Sequence, residues 1–163
     1  MRKDITNDKN SNLTVVTSKV YSSGDNTYSE ASLGVNRYFA EAYNQNQLVL
    51  SFDTIHPSGV HSAIDVTFGE AIEDQLATKM SLRAKVITKL AKKPLTLSAS
   101  YAAADGGMLL GFERSDETYS ISASYPLWRG LTASVGYRTT DSTIDYFDVS
   151  TPIFGVQFSS FNF

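Results

Sequence analysis

Four cations recur within one short stretch, Lys79, Arg83, Lys85 and Lys89, interleaved with Met80, Leu82, Ala84, Val86 and Leu90. A period of two places the apolar set on one face of a strand and the cations on the other. The same phase, carried to neighbouring stretches, sets Glu30, Asp53, Asp65 and Glu113 on the charged side. Charges gathered on one face must be hydrated or paired, and three kinds of chemistry meet that demand. They line a water-filled passage and select the ions that cross it. They form an internal salt-bridge network that props a narrow barrel. Or they guard the solvated edge of a soluble sheet, where lysine is a common defence.

Other reactive combinations are weaker. Asp53, His56 and Ser58 are the residue types of a hydrolase triad, but Pro57 lies between the last two in what reads as a turn. Turn chemistry accounts for them, and His61 reads as a member of the charged network. Asp141, Asp145 and Asp148 offer the oxygen ligands a calcium ion takes, yet their spacing matches no loop motif, so a solvated acidic loop is the simpler reading. The chain has no Cys, no HExxH and no phosphate-binding glycine loop. No catalytic residue, metal ligand or cofactor is therefore expected, and the chain reads as a non-enzyme.

The elements that must position these residues are strands. Leu95, Leu97, Ala99 and Tyr101 alternate with Thr96, Ser98 and Ser100; Tyr119, Ile121, Ala123 and Tyr125 with Ser120, Ser122 and Ser124; Leu131, Ala133, Val135 and Tyr137 with Thr132, Ser134 and Gly136. The polar face carries Ser, Thr and Gly rather than Lys and Glu, as if it bordered a confined space. Ten strands are expected, at 13–22, 28–40, 48–55, 60–69, 78–90, 95–103, 108–114, 118–125, 131–140 and 153–163, separated by turn chemistry such as Asn44-Gln45-Asn46-Gln47, Asp105-Gly106-Gly107 and Ser115-Asp116-Glu117. No helical stripe is convincing.

Composition bounds the rest. The 163 residues suffice for one domain, with a polar extension over 1–12 and a single β domain over 13–163. The net charge of −3 gives no reason to expect a nucleic-acid partner. Mean hydropathy is −0.18, and no apolar run approaches the roughly 18 residues of a membrane helix. A barrel strand shows only half its residues to lipid, so this balance suits a transmembrane barrel as well as a soluble domain. Residues 1–12 hold no apolar signal-peptide core; the expectation is a mature chain whose leader has been removed.

Two segments carry a family resemblance. The run from Tyr125 to Tyr137, with Pro126-Leu127-Trp128-Arg129-Gly130 at its centre, resembles a periplasmic hairpin of Gram-negative porins. The ending Phe158-Ser159-Ser160-Phe161-Asn162-Phe163 resembles the terminal strand of outer-membrane proteins, which the barrel-assembly machinery reads; Phe161 and Phe163 leave the phase of Phe154, Val156 and Phe158, which a bulge near Ser159-Ser160 would reconcile. The resemblance covers residues 95–163. It implies an all-β, antiparallel up-and-down transmembrane β-barrel of about ten strands, with eight as the alternative, in a bacterial outer membrane. General porins have about 16 strands, more than 163 residues supply, so the barrel must be small or the chain a fragment. The implied function is a small porin-like channel for passive diffusion of hydrophilic solutes or ions, with Lys79, Arg83, Lys85, Lys89, Asp53, Asp65, Glu30 and Glu113 lining the lumen. A non-conducting structural barrel plugged by those charges is the alternative, and a soluble ligand-binding barrel the third reading. Partners would be outer-membrane lipids, the assembly machinery and a further copy of the chain. Tyr101, Tyr125, Trp128, Tyr137 and Phe163 would sit at the membrane interfaces. With a periplasmic N-terminus, the Pro126–Gly130 turn is also periplasmic and the 141–151 segment extracellular.

Overall fold

Consecutive stretches of alternating apolar and polar residues, joined by short connections, pair with their sequence neighbours and build one antiparallel sheet. The computed structural model describes residues 11–24, 26–39, 44–128 and 130–158. Among them are nine strands: β1 (Ser11–Ser22), β2 (Tyr28–Phe39), β3 (Asn44–Ile55), β4 (His61–Gly69), β5 (Ala77–Leu90), β6 (Lys93–Leu109), β7 (Phe112–Trp128), β8 (Leu131–Ser142) and β9 (Val149–Phe158). Their order in the sheet is their order in the chain. A 3-10 turn at Asp145–Phe147 interrupts the connection between β8 and β9.

The count is nine rather than ten because one expected strand does not exist. The stretch 108–114 is divided between the end of β6 and the start of β7, each 17 residues long. Asp105-Gly106-Gly107 is not a turn. It is a bulge, marked by a register shift between Ala104 and Gly107 with Gly106 at φ 90°. A bulge built on a glycine at positive φ and a tight turn use the same residues, so they write the same signature. Ser115-Asp116-Glu117 is also continuous strand. The true turn is Leu110-Gly111, both at positive φ, hidden in an apolar run. Likewise, Asn44 to Gln47 begin β3 instead of ending β2.

Losing one strand reverses the sidedness of everything after it. The N-terminal end of β1 now lies at the same end of the sheet as the 143–148 connection, and the connection after Trp128 lies at the opposite end. The expectation that the N-terminus and the Pro126–Gly130 turn share a side is therefore overturned.

The ladders sort the side chains into two faces, because residues paired across an antiparallel ladder point the same way. One face carries Leu33, Leu50, Val66, Leu82, Tyr101 and Tyr119 in a single row. The other carries Ser98 with Ser122 and Ser134, and Ser100 with Ser120. Two hollows open on this second face and between them reach from β5 to β9, so the polar side forms a trough.

The sheet has no hydrophobic core. Among the described residues only Ala63 and Ala77 are buried apolar side chains, while Leu50, Phe52, Ile64, Leu97, Ile121, Val135, Phe154 and many others stand exposed. The surface is 12090 Å², against about 8,000 Å² for a folded soluble monomer of this mass. Among the described residues β1 and β9 are open edges, and the nine strands do not close into a barrel.

Candidate functional site

The polar face is built from small hydroxyl residues because each can bond its cross-strand neighbour without filling the trough. Ser98 and Ser122 share a hydrogen bond of 2.7 Å, Ser100 and Ser120 one of 2.7 Å, and Thr118 and Thr140 one of 2.9 Å. Gly136 continues this wall where nothing larger fits: a Cβ there would lie 2.6 Å from the Ile121 carbonyl oxygen.

Toward β1 the hydroxyls give way to amides. Thr14 donates to Asn36 (3.0 Å), Asn36 to Gln47 (2.8 Å) and Gln47 to Gln45 (2.8 Å). Gln45, 1% exposed, ends the relay by donating to the Glu70 and Thr78 carbonyls, each at 2.8 Å. Gly69 makes room for it, since a Cβ there would stand 2.5 Å from Gln45 Nε2. The sequence reading missed this relay. Its signal was present in the i, i+2 spacing of Gln45 and Gln47, which a turn does not need and a strand face does.

The charged residues are sorted by strand. Glu30, Asp53 and Asp65 occupy the polar face of β2, β3 and β4, and Arg83, Lys85 and Lys89 that of β5. Glu30 and Asp53 stand directly opposite each other in the register. Like charges so placed repel unless water separates them. Asp53 also pairs with His61 at 3.0 Å. Asp65 faces Arg83 across the ladder, yet among the described residues the ion pairs within 4.0 Å are His61–Asp53, Lys79–Asp105 and Arg114–Asp116.

Two expected members of the lining stand elsewhere. A register shift between Thr78 and Met80 makes Lys79 an extra residue; Thr78 pairs with Ala104 and continues the polar row, while Lys79 lies 3.5 Å from Asp105. Glu113 is odd-numbered on β7, in phase with Tyr119 and Ile121, and so lies on the apolar face. Its neighbour Arg114 takes the polar position. Arg114 grips Asp116 through Nε (2.9 Å) and Nη2 (2.6 Å), and its guanidinium lies 3.5 Å from the centre of the Phe147 ring.

Of the aromatic residues expected at the membrane interfaces, the described ones fall on two levels of the sheet. Tyr101 packs on Tyr119 with ring centres 5.0 Å apart. Tyr125 is six residues further along β7, about 20 Å away at the rise of a strand. It is level with the turn end, donates to the Leu90 carbonyl at 3.1 Å, and lies near Trp128, 77% exposed. Tyr137 pairs with Ile121 between the two levels. Phe163, with Phe161 and the bulge expected near Ser159-Ser160, lies outside the described residues.

The triad residues do not converge. Asp53 orients His61, and His56 instead lies 3.4 Å from Ser62. Asp148 closes the last hairpin by accepting from the Ser142 backbone N–H at 2.7 Å. Compared with protein-family models, curated proteins and solved structures, the chain matches none.

Proposed function

We propose that this sheet is the wall of an outer-membrane β-barrel, porin-like in kind, through which small hydrophilic solutes diffuse passively along the polar face. The observation that carries this reading is the course of the apolar band. On β1 the band is Leu13, Val15 and Thr17; on β9 it is Phe154, Val156 and Phe158. The register leads from Val15 through Val35, Leu48, Phe68, Met80, Ala103 and Glu117 to Asp141 on β8. From Val156 it leads to Ala133, eight residues from Asp141 on the same strand. Over the whole sheet the band thus drifts by about one residue per ladder. A rise of ~3.3 Å against a strand spacing of ~4.8 Å is a tilt of about 35°, the lean strands take in closed barrels.

Charges on this face keep to the margins. Lys19, Arg37, Asp105, Glu117 and Asp141 flank the band, and between Met80 and Leu90, Leu95 and Ala103, or Tyr119 and Tyr125 the face holds none. An apolar band that stays level while strands lean through it answers to a hydrocarbon layer. A soluble sheet would follow a packing partner instead.

Closure of the barrel is part of the proposal. β1 and β9 run in the same direction, so antiparallel closure takes an odd number of further strands, from outside the described residues or from another chain. Bacterial single-chain barrels have even counts.

The full chain reconstituted in planar bilayers is expected to give stepwise conductance. Arg83→Ala should shift the reversal potential toward cation selectivity while changing stability by less than about 0.5 kcal/mol, as for a hydrated charge. A folded preparation giving no steps in repeated insertions overturns the channel and leaves a non-conducting barrel.

A further inference from the structure

Arg138 is a cation without an ion-pair partner among the described residues. It stands on the polar face of β8 between Ser120 and Thr151, at the junction of two hollows of about 560 and 490 Å³. The one carboxylate lining the same hollow, Asp116, is already engaged by other donors. Asp116 accepts from Arg114 Nε and Ser142 Oγ (2.6 Å) on one oxygen and from Arg114 Nη2 on the other. Among the residues lining the larger hollow Arg114 and Asp116 cancel, which leaves Arg138 as the one uncancelled charge of that lining. Among the described residues it makes no ion pair. A guanidinium presents a planar fork of donors matched to a carboxylate or phosphate. Thr118, Thr140 and Thr151 place hydroxyls around it.

The larger hollow also has an apolar end. Arg114 stacks on Phe147, Phe147 meets Tyr146 edge-on at 5.2 Å, and Val149 and Ile153 complete the wall. The 3-10 turn is thus pinned over the trough at the loop end by the same arginine that neutralises Asp116. Its size falls in the range of small-molecule sites.

We propose that the hollow around Arg138 binds a small solute bearing an oxyanion, carboxylate or phosphate, on a ring or similar apolar body. The anion would meet Arg138 and the threonine hydroxyls, and the body would lie against Phe147, Tyr146 and Ile153. The proposal deepens the channel reading by naming a solute class, and rests on it in requiring the polar face to be wet.

The test is calorimetric binding of benzoate, phenyl phosphate and the uncharged benzamide to the full chain folded in micelles. Far-UV circular dichroism and the emission of Trp128, at the opposite end of the sheet, check folding. Either anion should bind while benzamide does not, and which one binds better assigns the oxyanion. Arg138→Gln should weaken binding at least about tenfold, the loss of a charge-assisted contact, and Arg138→Lys should recover part of it. Phe147→Ala should weaken the ring-bearing anions but leave inorganic phosphate unchanged. Binding of benzamide as tight as benzoate, or anion affinity unaltered in a folded Arg138→Gln protein, overturns the site. Conductance without anion binding removes the site and spares the channel; anion binding without conductance does the reverse.

Discussion

Individual side chains show how a sheet without an apolar core is held. Gln45 spends both amide protons on carbonyls of other segments and its oxygen on Gln47, so its replacement strands several polar groups at once. Gln45→Leu is expected to cost about 1–3 kcal/mol, seen as a lower denaturant midpoint in micelles. Gly69→Ala should do comparable harm by pushing the amide off the Thr78 carbonyl, and an unchanged midpoint in both would remove the relay from the account. Glu70 offers a pH handle in the connection after β4. The Asn46 backbone N–H and side-chain amide, each 3.0 Å from Oε1, hold its carboxyl below the usual carboxylate range. A depressed folded value means the contribution is full above the ordinary value and fades as the pH falls through the folded one. The Glu70 carboxyl carbon, followed by NMR, should titrate lower than in an unstructured peptide of the same sequence. Asn46→Ala should raise the midpoint only partly, since the backbone donor remains.

Among the elements, the turns decide which parts of the fold could be read. β5 was recovered closely because its alternation is unbroken from Met80 to Leu90. Lys92-Lys93-Pro94 reads in the sequence as its turn, but the chain reverses at Ala91-Lys92, with φ of 49° and 66°, and Lys93 and Pro94 begin β6. Neither residue suits a left-handed position, so propensity pointed past the turn. The same mismatch makes a prediction. Replacing Ala91-Lys92 by Asn-Gly, the pair such hairpins favour, should stabilise by about 1–2 kcal/mol, and a lower midpoint would mean the turn is held by contacts the backbone does not reveal. At Asp105-Gly106 and Ser115-Asp116 the error ran the other way, and turn-like residues sat inside long strands. Asp116 is tolerated there because Arg114, two residues away on the same face, satisfies it. That pairing was invisible while the two were assigned to different elements. The polar-face placement of Arg83 and Lys85 was legible because the phase of β5 is clean; Lys79 and Glu113 were misplaced by one bulge and one missing turn. Arg138 escaped notice because its importance comes from what its neighbours already bind.

For the whole molecule, the proposed barrel fixes which face would meet lipid. Spin labels at Leu97, Tyr119, Ile121, Leu131 and Val135 should be reached by lipid-soluble quenchers, and labels at Ser98, Ser122 and Ser134 by water-soluble ones. The reverse result would turn the sheet inside out and favour a soluble ligand carrier. The meander itself has a further consequence, for how the protein reaches this state. All eight ladders join strands adjacent in the chain, so each pairing closes only a short loop and contact order is low. Structure can grow by one hairpin at a time from any starting point, and until the barrel closes a partly formed sheet differs from the nine-stranded one only in where its two live edges stand. Truncation after any hairpin should therefore leave the remaining strands in native register, while the exposed edges, not the missing residues, would set the rate at which such pieces aggregate.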